Sequence, residues 1–180
     1  MTPPLHSPEK AERKSPMNHP HRKSPRLRTY NYAKNGSYLL KICTQNDAEI
    51  LSKVVNKSTG VLELTEYGRI AEKYIKELPN KYPHISVDCC VILPDMIQLL
   101  LTLEREDDYD EQAEMYSLEK AMGWLKYFMT KEINKLKDTP GQKVFQRSYF
   151  DHIVRNEQDY EEIVASVYYA PVELALKMRR

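Results

Sequence analysis

The chain has 180 residues, 41% of them apolar, with 27 Lys+Arg against 26 Asp+Glu and three cysteines. That length fits one domain with a core plus a tail, and a large multidomain enzyme is not expected. The most apolar stretch, Cys89 to Leu103, is shorter than a membrane span and carries Pro94, Asp95 and Gln98, so no membrane contact is expected.

The N-terminus, Met1-Thr-Pro-Pro-Leu-His-Ser-Pro, has no apolar segment of the secretory kind. Cys43, Cys89 and Cys90 are odd in number and lie in apolar runs, which reads as reduced core thiols. A soluble, cytoplasmic protein is the expectation, nucleoid-associated if the source is bacterial.

Charge is unevenly spread. Residues 1–28 carry seven basic and two acidic side chains, 7 − 2 = +5, and the other 152 carry 20 and 24, or −4. With six prolines and almost nothing apolar to bury, residues 1–28 read as a disordered tail preceding a single domain over 29–180. Arg22, Lys23, Arg26 and Arg28 make it a basic arm suited to phosphates. A solubilising leader without a partner is the plain alternative.

Gly36 to Thr44 alternates Tyr38, Leu40 and Ile42 against Leu39, Lys41 and Cys43, the pattern of a strand. Thr65 can cap a helix with Tyr67, Ile70, Ala71, Tyr74 and Leu78 on one side, and Pro79 is expected to stop it. Strands follow over His84–Leu93 and Met96–Leu103. A helix from Ser117 sets Leu118, Ala121, Met122, Leu125, Met129, Ile133 and Leu136 in one stripe, ended by Pro140-Gly141. Lys143–Gln146 is expected to form a short closing strand. A third helix starts near Asn156, with Tyr160, Ile163, Val164 and Val167 as its core stripe and Tyr168 on the edge, and is expected to end by Pro171.

Strand, helix, strand, strand, helix, short strand is the split βαβ order. The fold class is therefore α+β: a ferredoxin-like sheet with helices on one face and an appended C-terminal helix. The segment Glu104–Glu114 holds seven carboxylates against one arginine. It reads as a solvated loop, and its spacing matches no calcium loop; binding a divalent ion or repelling DNA are the sharper alternatives.

On the second helix, 100° steps gather Lys120, Trp124, Tyr127, Lys131 and Lys135 opposite the apolar stripe. Aromatics interleaved with lysines offer stacking surfaces for bases and charges for phosphates; the alternative is a face covered by the tail or a second subunit. In Lys143–Asn156, Tyr149, Phe150 and Ile153 read as core, while Arg147, Asp151, His152 and Arg155 are available for binding. His152 reads more simply as a satisfied structural histidine than as a metal ligand. There is no Gly-rich phosphate loop, Cys-x-x-Cys pair or Gly-x-Ser-x-Gly elbow.

Three segments together resemble the REP-associated tyrosine transposases, a branch of the HUH single-strand transposases. They are Arg22-Lys-Ser-Pro-Arg-Leu-Arg-Thr-Tyr-Asn-Tyr with Tyr38-Leu-Leu-Lys-Ile-Cys-Thr-Gln-Asn46; Leu64-Thr-Glu-Tyr-Gly-Arg-Ile through Val91-Ile-Leu-Pro-Asp-Met-Ile-Gln-Leu-Leu-Leu101; and Phe145-Gln-Arg-Ser-Tyr-Phe-Asp-His-Ile-Val-Arg-Asn156 with Val167-Tyr-Tyr-Ala-Pro-Val-Glu-Leu-Ala-Leu176. The resemblance implies a ferredoxin-like fold and binding of hairpin-forming single-stranded DNA. It also implies cleavage by a tyrosine on a late helix, assisted by a divalent ion (Mg²⁺ or Mn²⁺) on two strand histidines and a polar side chain one turn beyond the tyrosine.

This chain departs from that pattern at all four positions. The histidine positions hold Met96 and Gln98, the tyrosine position holds Ser166, and its partner position holds Ala170. By alternation Met96 and Gln98 share a face, but a thioether is a poor ligand for a hard cation and a neutral amide a weak one. No metal or cofactor is therefore expected. The resemblance then implies a transposase-derived DNA-binding protein that is nuclease-silent, with DNA contacts at Arg22, Lys23, Arg26, Arg28, Lys120, Trp124, Tyr127, Lys131, Lys135, Arg147, His152 and Arg155. Two alternatives remain. One is an active transposase using Tyr169, which lies about 60° from Ser166 on the helix, with Glu173 four residues later. The other is a protein-interaction module or subunit of a larger assembly that has abandoned DNA, and the partner expectation extends to a homodimer or a partner protein.

Overall fold

A computed structural model describes residues 34–105 and 117–179. The 1–28 tail with its basic arm, and residues 106–114 of the acidic loop, lie outside the described residues. The elements are β1 (Gly36–Cys43), a 3₁₀ turn (Gln45–Asp47), β2 (Ser52–Asn56), β3 (Val61–Leu64), α1 (Glu66–Lys81), β4 (Ile85–Ile92), β5 (Met96–Leu103), α2 (Leu118–Lys137), β6 (Phe150–Ile153) and α3 (Glu157–Lys177).

Four strands form an antiparallel sheet in the order β4-β5-β1-β6, and β2 and β3 form a separate hairpin. With the hairpin set aside, this is the split βαβ arrangement, α1 and α2 being the two crossovers. Strand alternation fixes the two faces. Tyr38, Leu40, Ile42, Ile97, Leu99, Leu101 and Leu103 pack with α1 and α2 in the main core. Leu39 and Leu100 point the other way, onto Ile163 and Val167 of α3. The appended helix therefore covers the face that α1 and α2 leave open, chiefly over β4 and β5. Each fully buried Leu or Ile in these two layers contributes roughly 1.5–3 kcal/mol of transfer free energy.

Caps define the helix starts. Thr65 Oγ1 accepts from the Gly68 N–H, Ser117 Oγ from Lys120 and Asn156 Oδ1 from Asp159, each satisfying one otherwise orphan donor. Thr65 Oγ1 also donates to the Ile50 carbonyl at 2.5 Å, tying α1 to the chain entering β2. Gly68 is needed there: a Cβ would stand 2.0 Å from the Leu51 carbonyl oxygen.

Several boundaries differ from the sequence reading. Neither Pro79 nor Pro171 ends its helix. α1 runs on to Lys81 and α3 to Lys177, because a proline removes one hydrogen bond but does not prevent the following residues from staying helical where packing holds them. For α3 the packing partner is the β2–β3 turn, which sequence periodicity did not reveal. A Cβ on Gly60 would lie within 2.6–2.7 Å of the Pro171 and Val172 backbone, and Arg179 donates twice to the Lys57 carbonyl, at 2.5 and 2.9 Å. The closing strand is Phe150–Ile153, paired to β1, not Lys143–Gln146, which makes a single bridge from Phe145 to Thr44. Leu136, Phe150 and Tyr168 are exposed rather than core or core-edge. Cys90 is likewise exposed, on the outer strand β4.

Candidate nucleic-acid interface

A groove of about 800 Å³ lies between α2 and the segment from Pro140 to Arg147. Its two walls are joined by polar anchors. Asp138, in the left-handed conformation that ends many helices, turns the chain out of α2. The buried Asn134 then donates from Nδ2 to the Gln142 carbonyl at 2.7 Å, and its backbone carbonyl accepts from the Thr139 N–H at 3.0 Å. Further along, Lys126 Nζ donates to three successive carbonyls, those of Gln146 (2.5 Å), Arg147 (3.0 Å) and Ser148 (3.2 Å). A charged donor meeting three carbonyl dipoles is stronger than a neutral hydrogen bond. Val144 and Phe145, both about 5% exposed, seat the second wall on the core.

The rim is cationic. Lys131 and Lys135 of α2 face Lys143 and Arg147 of the opposite wall, with Asp138 the one acidic lining residue. Tyr127 is 59% exposed and also lines the groove, with the Lys131 ammonium 5.9 Å from its ring centre. Four of the expected DNA-binding residues, Tyr127, Lys131, Lys135 and Arg147, thus converge on one concave surface.

The others do not. Trp124 is half-buried and faces α1, edge-on to Tyr74 (5.9 Å) and Tyr82 (6.2 Å) and beside Phe128 (5.2 Å). The expected exposed stacking face is wrong at this residue. α2 packs on both the sheet and α1, so its buried arc is wider than the single stripe drawn from periodicity. Tyr74 and Lys73 of α1 reach Glu132 in the same seam, at 2.6 and 3.0 Å. These bonds, that from Tyr74 foremost, hold the Glu132 carboxyl below its ordinary range. Lys120 is exposed on the first turn of α2, eleven residues or roughly 16 Å along the axis from Lys131. His152 lies on β6 with Nε2 3.0–3.1 Å from both carboxylate oxygens of Asp159, as a structural histidine would. The Arg155 backbone N–H donates to the same carboxylate at 2.9 Å, and that bond, followed by the one from His152, depresses the Asp159 carboxyl. Arg22, Lys23, Arg26 and Arg28 lie outside the described residues.

Of the four positions that the resemblance implies to be catalytic, two lie on β5 and two on α3. Met96 and Gln98 share the β5 face of Leu100, opposite the residues that enter the main core, and their cross-strand neighbours on β1 are Cys43 and Lys41. Ser166 is exposed on α3, and Ala170, one turn later, is buried. Gln98 is only 8% exposed, its Nε2 lies 3.9 Å from the Met96 sulfur, and its Oε1 has no hydrogen-bond partner. A thioether capped by an amide N–H, beside one neutral oxygen, does not fit a hard divalent cation, which requires several oxygen or imidazole donors. Among the described residues, no three His, Cys, Asp or Glu side chains cluster where a metal ion could be held. Tyr169 is exposed, its ring edge-on to Tyr168 at 5.1 Å.

Sequence periodicity missed Asn134 and Lys126, the two residues that hold the groove together. Each sits beside the apolar stripe of α2, and nothing local distinguishes a lysine satisfied by distant carbonyls from one extended into water.

No family model matches the chain. It is 24% identical over 165 residues to an uncharacterised protein of Haemophilus influenzae, covering 84% of this chain and 89% of that one. It is 29% identical over 118 residues to a second Haemophilus influenzae protein carrying the name "Putative REP-associated tyrosine transposase". That match spans 61% of this chain and 62% of the relative's length. Among solved structures, a REP-associated tyrosine transposase bound to a REP hairpin superposes with a TM-score of 0.53 at 18% identity, over 82% of this chain and 73% of that one. The structural match carries the fold, and the sequence matches carry the resemblance. No helix among the described residues is long and apolar enough to cross a membrane.

Proposed function

From a chain related in sequence to the REP-associated tyrosine transposases and sharing their fold, we propose a nuclease-silent DNA-binding protein that recognises hairpin or single-stranded DNA. The observation that carries the reading is the groove: four cations, Lys131, Lys135, Lys143 and Arg147, lining one concavity with a single opposing carboxylate. Such a rim attracts a polyphosphate backbone and releases its counterions. The basic arm Arg22–Arg28 adds non-specific attraction for phosphates, and Arg155 and Lys120 are further exposed cations. Trp124 is left out, because it is packed against α1.

Silence rests on the Met96–Gln98 pair and on Ser166 and Ala170. The scaffold remains while the side chains that would position a metal and attack a phosphate are absent from their places, and losing both normally costs many orders of magnitude in rate. One observation favours a second reading. Because α3 continues through Pro171, Tyr169 and Glu173 are one helical turn apart on one flank, so cleavage by Tyr169 has its helix intact. Incubating the full chain with labelled hairpin DNA and Mn²⁺ separates the two. A mobility shift that weakens with salt, with no cleaved or covalently attached strand, is expected. A protein–DNA adduct lost in Tyr169→Phe supports the second reading, and no shift at low salt overturns both.

A further inference from the structure

We propose that the groove between α2 and residues 140–147 takes unpaired bases of the DNA, one of them stacked on the Tyr127 ring, while Lys131, Lys135, Lys143 and Arg147 hold the adjoining phosphates. This rests on the DNA-binding reading above and adds where on this chain the unpaired bases sit and the residue that senses them. The first reason is shape. Duplex DNA is read by a convex element, a helix or ribbon entering the DNA groove, whereas here the protein is the concave partner. A base extruded from its stack is the part of DNA that enters a protein cavity, and about 800 Å³ lies within the range that encloses a whole small ligand.

The second reason is the lining. A site for phosphates alone needs only charge, yet this one pairs its cations with Tyr127, Val144 and Phe145. Tyr127 is the aromatic that neither helix α1 nor the sheet uses: Trp124 and Phe128 turn toward Tyr74, while Tyr127 keeps 59% of its surface open. A ring beside a row of ammonium groups is the arrangement of a stacking platform with its backbone track. The third reason is rigidity. Lys126 and Asn134 fix the second wall to α2 through carbonyls of residues 142 and 146–148, so the groove is formed before ligand arrives and ordering it costs little on binding.

The test uses the full chain and two DNA hairpins with the same stem, each closed by a non-nucleotide linker, one blunt and one with a short single-stranded extension carrying 2-aminopurine, whose fluorescence falls when it stacks. The extended hairpin is expected to bind more tightly, with quenching. Tyr127→Ala is expected to remove the quenching and lower affinity for the extended hairpin about tenfold, while Tyr127→Phe retains both. Affinity for the blunt hairpin falls by a smaller factor in Tyr127→Ala than affinity for the extended one. If blunt and extended hairpins bind equally, or Tyr127→Ala changes neither signal while binding persists, the inference is overturned and DNA binding stands. If neither hairpin binds at low salt, the underlying reading fails and the inference with it. If an acidic, aromatic-containing peptide binds the wild type and not Tyr127→Ala while the extended hairpin binds both equally, the groove belongs to a protein partner and the inference is again overturned.

Discussion

The Lys126 ammonium lies 2.5 Å from the Gln146 carbonyl oxygen, and through that contact one helix of the core fixes the wall of a basic groove. Lys126 is a positioning residue, its charge directed at carbonyls rather than outward. Lys126→Met leaves three carbonyls without their donor and is expected to cost about 1–3 kcal/mol of stability, the range for hydrogen bonds to a charged group. It is also expected to weaken DNA binding. Lys131→Ala should weaken binding without moving the melting temperature. Thermal unfolding and a mobility-shift titration of the two variants side by side check the contrast.

Removing rim cations should act on the salt dependence as well as on affinity. Each of Lys131→Ala, Lys135→Ala, Lys143→Ala and Arg147→Ala is expected to reduce the slope of log affinity against log salt by about one, if its side chain contacts one phosphate. Lys120→Ala, on the far end of α2, should change the slope less. A titration from low to moderate salt with one hairpin DNA measures all five.

Glu132 couples α1 to α2 and carries an acid dependence. Its folded carboxyl is held below the ordinary value of 4.5 by Tyr74 and Lys73. A depressed carboxyl contributes stability that is present above the unfolded value and is lost as pH falls through the folded one. Tyr74→Phe removes the 2.6 Å bond and should lower stability by about 1 kcal/mol near neutral pH, the carboxylate being partly exposed. The difference between wild type and variant should shrink as pH falls below about 4.5. Urea unfolding at a series of pH values tests it.

Gly60 has φ of 72° and its Cβ position is filled by backbone of Pro171 and Val172. Gly60→Ala is expected to cost about 2–4 kcal/mol, combining the left-handed penalty with the clash, and to lower the melting temperature by roughly 10 °C. Gly141→Ala, at φ 79° but with open space around it, should cost only the conformational part, about 1–2 kcal/mol. The gap between the two measures the contact of the β2–β3 turn with α3.

Most of the sheet was legible because strand alternation and caps are local signals. Met96–Leu103 was bounded as the structure has it, and Thr65, Ser117 and Asn156 marked their helices. What escaped depends on contacts distant in sequence. The β2–β3 hairpin is short, half-exposed and bulged between Val54 and Asn56, so its alternation is weak; it matters because it holds α3 past Pro171. Trp124 was misplaced because one stripe cannot describe a helix packed on two neighbours. Of the candidate interface, the lysines and Tyr127 on α2 were readable, as was Arg147. That they meet across a groove was not, since Lys126 and Asn134 bring the walls together through carbonyls, which every residue has.

Whether the protein binds DNA without cutting it is tested by a titration of the full chain against an end-labelled DNA hairpin with a single-stranded extension. Binding would be read by mobility shift at several salt concentrations and cleavage on a denaturing gel with Mn²⁺ present. A nuclease-silent DNA-binding protein gives a shift that weakens steeply as salt rises, weakened further by Arg147→Ala, with the strand intact and no covalent adduct. Absence of any shift at low salt, or a cleaved strand attached to the protein, would contradict that reading.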